Sequence, residues 1–192
     1  SFISAYGVHV NVELPDLTAK TLGTYIRAYA LLQWWIVDTH KIDIARRISP
    51  YIDLYSKAYL RQVLSHPNAD MDQIFDDYLE HNPSRNRGLD LLPLLATIDE
   101  KRVRSVVDDP RIKARPAFHY RLPDCRIEHD DWSLLVPYNS WLVVEKLANM
   151  PEAITELSAE FLSIERQRPL LDISRTEWVE TIDQWLKDHA LV

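Results

Sequence analysis

Gly7-Val8-His9-Val10-Asn11-Val12-Glu13 alternates apolar and polar residues with a period of two, and so does Phe118-His119-Tyr120-Arg121-Leu122. A β-strand turns successive side chains to opposite faces, so this alternation predicts two half-buried strands. In the first, Val8, Val10, Val12 and Leu14 share one face, while His9, Asn11 and Glu13 share the other. In the second, Phe118, Tyr120 and Leu122 face one way and His119 and Arg121 the other. Set in one sheet, the two polar faces would converge an imidazole pair, a carboxamide, a carboxylate and a guanidinium. An antiparallel sheet with a solvated face carries such residues too. The functional reading gains from the rest of the chain, which is strongly helical and offers no other good strand.

The helices follow from periodicity. Thr18 can cap a helix running to about His40, with a core stripe of Leu22, Tyr25, Ile26, Tyr29, Leu32 and Ile36 widened by Trp34 and Trp35. Arg27 lies off that stripe and reads as solvated. Arg46-Arg47-Ile48-Ser49-Pro50 interrupts the pattern before helices at about 51–64 and 71–80, and adjacent arginines at a helix end suit its carbonyl dipole. The segment 82–93 reads as a loop entering a short helix, and another helical stretch lies near 100–107. Pro137 suits a first turn, followed by a stripe of Tyr138, Trp141, Leu142 and Ala148. Pro151 opens the next helix, with Ile154, Leu157, Phe161 and Ile164 in register. Ser174 and Glu177 form a capping box for a last helix bearing Trp178, Ile182, Trp185 and Leu186. The fold class is α+β, mostly helical around a small, incomplete antiparallel sheet, and the 192 residues fit one domain.

With 46% hydrophobic and 10% aromatic residues the chain is globular. A net charge of −7 and a pI near 5.5 argue against a broad nucleic-acid footprint. The local basic clusters, Arg46-Arg47, Arg85-Asn86-Arg87 and Arg111 to Arg115, suit small anions better than a duplex. No apolar run approaches the roughly 20 residues of a spanning helix, so no membrane partner is expected. The single cysteine, Cys125, forms no internal disulfide, which agrees with a cytoplasmic location. Only three glycines occur, and no dinucleotide fingerprint, phosphate-cradling loop, paired-Cys zinc spacing or Gly-x-Ser-x-Gly elbow is found. Cys125 has His119 and His129 nearby in sequence, but a buried structural thiol is the simpler reading.

Several phrases are distinctive in combination. Tyr6-Gly7-Val8-His9-Val10-Asn11, Arg85-Asn86-Arg87-Gly88-Leu89-Asp90-Leu91-Leu92-Pro93, Arg115-Pro116-x-Phe118-His119-Tyr120-Arg121-Leu122-Pro123, and Trp132-Ser133-Leu134 with Asn139-x-Trp141 resemble the amidoligase family of the carboxylate-amine ligase, glutamine-synthetase-like superfamily. The resemblance is strongest over residues 6–148. It implies part of a glutamine-synthetase-like catalytic domain and an ATP-dependent ligase: a carboxylate is phosphorylated to an acyl phosphate, which an amine attacks to give an amide or peptide-like bond. The partners it implies are small-molecule or peptide carboxylates and amines. Mg²⁺ bridging phosphate oxygens would find hard donors in Glu13 and Asn11, with His9 as ligand or hydrogen-bond donor. Arg121, Arg85 and Arg87 supply guanidinium forks for phosphoryl charge, and His119 is a candidate proton carrier for the amine. Each has a plainer alternative: Arg85 and Arg87 can pair with Asp90 or Glu80 at a surface, and His119 can be a hydrogen-bonded core histidine.

One departure stands out. The superfamily carries earlier strands with metal-binding Glu-x-Glu, and none precedes the His-x-Asn strand here. Two strands also make a poor independent sheet. The expectation is a C-terminal portion of a longer domain, inactive alone, that self-associates into a homo-oligomer or pairs with the missing N-terminal strands. The competing reading is a helical interaction module with a strand-pairing edge or an anion-binding surface.

Overall fold

The computed structural model describes residues 9–39, 53–121, 133–167 and 171–192. Arg46, Arg47, Leu122, Cys125, His129 and the start of the first strand at Gly7-Val8 lie outside them. In chain order the elements are β1 (Val10–Glu13), α1 (Ala19–Thr39), α2 (Lys57–Ser65), α3 (Met71–His81), β2 (Leu89–Asp90), α4 (Leu92–Val106), β3 (Ala117–Tyr120), α5 (Leu135–Ala148), α6 (Pro151–Gln167) and α7 (Leu171–Asp188). The class is α+β, as the patterning indicates.

Helix α1 is the hub, packing against α2, α5, α6 and α7. Its start follows from Thr18, whose Oγ1 accepts from Thr21 N at 3.3 Å, a side-chain cap for an otherwise orphaned donor. From Tyr25 to Val37 every residue is buried, far more than one amphipathic stripe, because helices cover α1 on several sides. Arg27 is therefore buried as well, at 7% exposure, with Nη2 donating to Ser158 Oγ at 3.3 Å. The expectation that it is solvated is overturned: the helix has no solvent face at that point. Trp178 Nε1 donates to Leu31 O at 2.8 Å and Trp35 Nε1 to Asp183 Oδ1 at 2.9 Å, clamping α7 to α1.

The sheet has three strands in the order β1-β3-β2, both pairs antiparallel. β3 is central and buried throughout. β2 lies in the segment that sequence reads as loop. It is two residues long, too short to show a period, and its position depends on buried phenols. Tyr55 Oη donates to Leu89 O at 2.7 Å, and Leu91 N donates to Tyr78 Oη at 3.0 Å. Tyr55 is itself held by Gln33, whose Nε2 donates to Tyr55 O at 3.1 Å while Oε1 accepts from Tyr55 N at 2.9 Å. A carboxamide thus replaces a strand partner for an extended segment, satisfying buried backbone groups.

Three boundaries differ from the sequence reading. α2 starts at Lys57 rather than near Tyr51, capped by Ser56, because Asp53 is drawn into a bridge with Arg87. The two helical stretches after Pro93 are halves of α4, broken at Asp99 (φ −146°, ψ 86°), whose Oδ1 caps the second half through Arg102 N at 2.9 Å. α7 begins at Leu171, so Ser174 is inside it and accepts from Lys57 Nζ at 2.7 Å instead of capping. On α5, Tyr138 is exposed; the buried face runs through Trp141, Val144 and Leu147.

Candidate functional site on the polar sheet face

Register decides which side chains share a face. Asn11 lies opposite His119 on one side, and Asp90 lies opposite His119 on the other. All three therefore project from the same face, while Val10, Leu89 and Tyr120 line up on the reverse. That reverse face is the core: Tyr120 packs on Trp141 and Tyr29, and its hydroxyl meets Ser140 Oγ at 2.9 Å. Glu13, two residues on from Asn11, is exposed on the polar face.

His119 is bonded through both ring nitrogens. Nδ1 lies 2.9 Å from Asn11 Oδ1, and Nε2 lies 3.0 Å from His9 Nδ1. A carboxamide oxygen only accepts, so His119 carries its proton on Nδ1; Nε2 then accepts, and His9 donates from Nδ1. The two imidazoles meet edge to face with centroids 4.9 Å apart. Burial, His9 and the cations of Arg115, Arg121 and Arg85 push His119 down to about 4, so it is neutral near pH 7.

Arg121 follows β3 directly. Its backbone N–H donates to Gly88 O at 2.8 Å, and its Nη1 donates to the carbonyl oxygen of Arg85. At 7% exposure it is a buried cation that ties the end of β3 to the loop before β2. Arg87 is not brought to this group. Its fork is engaged by Asn82 Oδ1 at 2.8 Å, Asp53 Oδ2 at 3.0 Å and His81 O at 3.3 Å, which anchor that same loop.

Two members went unrecognised in the sequence. Asp90 is 2% exposed, and its Oδ1 accepts from Leu92 N at 3.0 Å at the start of α4. Desolvation raises it to about 7 against the opposing pull of that hydrogen bond and of Arg121, Arg85 and Arg115. A lone carboxylate within Leu89-Asp90-Leu91-Leu92 was the available signal, since an ionisable group amid an apolar run has to be accounted for. Arg115 is the second. It precedes Ala117, His119 and Arg121 in the same period of two, and its Nε is buried without a hydrogen-bond partner among the described residues. Its backbone is fixed by Arg115 N donating to Pro93 O at 3.0 Å.

A metal would find a partial set here. Glu13 offers a carboxylate and Asn11 a carbonyl on one face, but among the described residues no group of three or more His, Cys, Asp or Glu side chains is placed to hold an ion. Mg²⁺ is ordinarily held by one or two carboxylates with water and substrate phosphate completing its shell, so this donor set fits it as a shared ligand sphere and not as a closed cage.

One sheet face thus gathers guanidiniums, carboxylates and two hydrogen-bonded imidazoles, that of His119 neutral, over a helical core. Residues 1–143 match the model of the family described as "Putative amidoligase enzyme", and the chain belongs to that family. No curated protein and no solved structure matches it. No helix among the described residues is long and apolar enough to cross a membrane.

Proposed function

We propose that the chain carries part of the site of an ATP-dependent carboxylate-amine ligase. The observation that supports this most is the placement of Arg85, Arg115 and Arg121 around one polar sheet face that also presents Glu13 and Asn11. A ligase of this kind transfers the γ-phosphoryl group of ATP, a substrate, to a carboxylate oxygen and releases ADP. The amine nitrogen then attacks the acyl carbon, inorganic phosphate leaves, and the nitrogen gives up a proton. Charge accumulates on the phosphoryl oxygens, and preorganised guanidiniums in a partly dry site stabilise it. Glu13 and Asn11 would hold Mg²⁺, whose charge would offset part of that build-up.

In this reading Arg121 and Arg85 face the phosphoryl group, with Arg115 added to them. Arg87 holds the Arg85 loop in place. His119 is kept neutral, the form that can accept the proton the attacking nitrogen gives up, and doing so costs its hydrogen bond to His9 at Nε2. The carboxylate and amine are small molecules or peptide termini.

Hydroxylamine tests the reading without knowledge of the amine, because it converts an acyl phosphate to a hydroxamate and free phosphate. The full-length protein, given ATP, Mg²⁺, hydroxylamine and a panel of carboxylates, should form a hydroxamate with one of them in step with ADP. ADP release that no carboxylate stimulates, with no hydroxamate from any panel member, would leave an anion-binding module as the better account.

A further inference from the structure

Arg85 and Arg115 both lie close enough to Asp90 and His119 to perturb them. The Arg85 guanidinium makes no hydrogen bond or ion pair with any described residue, although Asp109, paired to Arg111 at 2.7 Å, lies within its field. Arg115 Nε is buried and unpartnered among the described residues. Among the described residues Asp90 is the carboxylate buried among these cations, and it forms an ion pair with neither; its Oδ1 accepts from Leu92 N. A guanidinium presents five donors in a fixed fork suited to oxyanions. Two such forks left idle beside a buried carboxylate that does not neutralise them are arranged for an anion from outside.

We propose that Arg85, Arg115 and Arg121 form an oxyanion site whose occupancy is coupled to proton uptake by Asp90. The anion is tetrahedral and doubly charged, the chemistry that a nucleotide phosphate and an acyl phosphate share; the inference rests on the ligase reading only for that natural source. The coupling is electrostatic. An ionised Asp90 repels an oxyanion held by the same guanidiniums, so binding favours the protonated acid, and by linkage the protonated acid favours binding. The groups facing Asp90 are Arg121 and His119 from the β3 side, Arg85 and Arg115 from the flanking loops, and the phenols of Tyr55 and Tyr78, which stay neutral because burial raises both. His119 titrates near 4, below the working range. His9 lies behind His119 and is retained in the variant below.

Sulfate is the probe, since its charge is constant from pH 6 to pH 8. Wild type should bind it about tenfold more weakly at pH 8 than at pH 6, the effect of about one unit of linkage. Asp90→Asn, which keeps the acceptor for Leu92 N, should bind equally well at both values. Arg115→Gln should weaken binding at both about tenfold. Wild-type binding that is independent of pH, a slope retained in Asp90→Asn, or no binding at pH 6 would overturn the proposal. Should Asp90→Asn fail to fold, calorimetry of wild type in two buffers of different ionisation enthalpy decides: a substantial fraction of a proton taken up per sulfate at pH 7 supports it, and none overturns it. A non-hydrolysable ATP analogue that displaces sulfate makes the nucleotide the source; failure to displace it points to the phosphorylated carboxylate. Because sulfate needs neither ATP nor hydroxylamine, an intact linkage with no hydroxamate would sink the ligase reading alone.

Discussion

His119 is where sequence and structure meet most closely, because its period-two neighbours place it on the polar face while its central strand buries it. Its tautomer follows from Asn11, and its neutrality from burial. Nitrogen NMR of the imidazoles should show His119 protonated at Nδ1 and neutral down to about pH 4; an Nε2–H tautomer, or titration above pH 6, would contradict this assignment. Because the folded value is depressed below the unfolded one, His119 costs the native state nothing above about pH 6.5 and destabilises it as pH falls toward 4. Arg27 shows the opposite case, a residue whose helix-wheel position misleads. Periodicity measures one face, and α1 is covered on several sides. Its guanidinium has Ser158 as hydrogen-bond partner and an orphaned Nε, while Ser158 also donates to Ile154 O at 2.6 Å. Arg27→Met should therefore leave stability unchanged or raise it by about 1 kcal/mol, since a buried cation with no ion pair among the described residues is lost and the stem is replaced. A urea melt showing a loss of about 3 kcal/mol would contradict that. Asp90 and Arg115 were visible as residues but not as members of a site, because facing across a sheet depends on a register that no local pattern encodes.

At the scale of elements, the long helices and the two alternating strands were legible because each contains enough residues to display a period. β2 was not, because its two residues are held by Tyr55, Tyr78 and Gln33 from elsewhere in the chain. The same long-range pull explains the late start of α2 and the embedding of Ser174 in α7, where a local capping pattern lost to tertiary packing. Tyr78→Phe tests the anchoring of β2. It removes the acceptor for the buried Leu91 N–H with almost no change of shape, and should cost about 1–3 kcal/mol. Amide exchange at Leu91 should accelerate with the melt; an unchanged melt together with unchanged exchange would mean that Tyr78 does not hold the strand.

Across the whole molecule, Asp90 and His119 act in opposite directions on stability. Asp90 is raised in the fold, so its ionisation is resisted there, and stability drains as pH rises from about 4 to about 7. Asp90→Asn should remove that loss, becoming more stable relative to wild type as pH increases through this window; a stability difference that does not vary with pH would show that Asp90 is not the strained group. Carrying a buried carboxylate and several partly buried arginines on one sheet face is costly to the fold, and the cost is intelligible if that face serves an anionic substrate. Calorimetric titration of the full-length protein with a non-hydrolysable ATP analogue tests this most directly. The account predicts binding that requires Mg²⁺, weakens in Arg121→Lys because a point charge replaces a planar fork, and loses its Mg²⁺ dependence in Glu13→Gln. Absence of binding, or binding indifferent to Mg²⁺ and to both substitutions in folded variants, would contradict it.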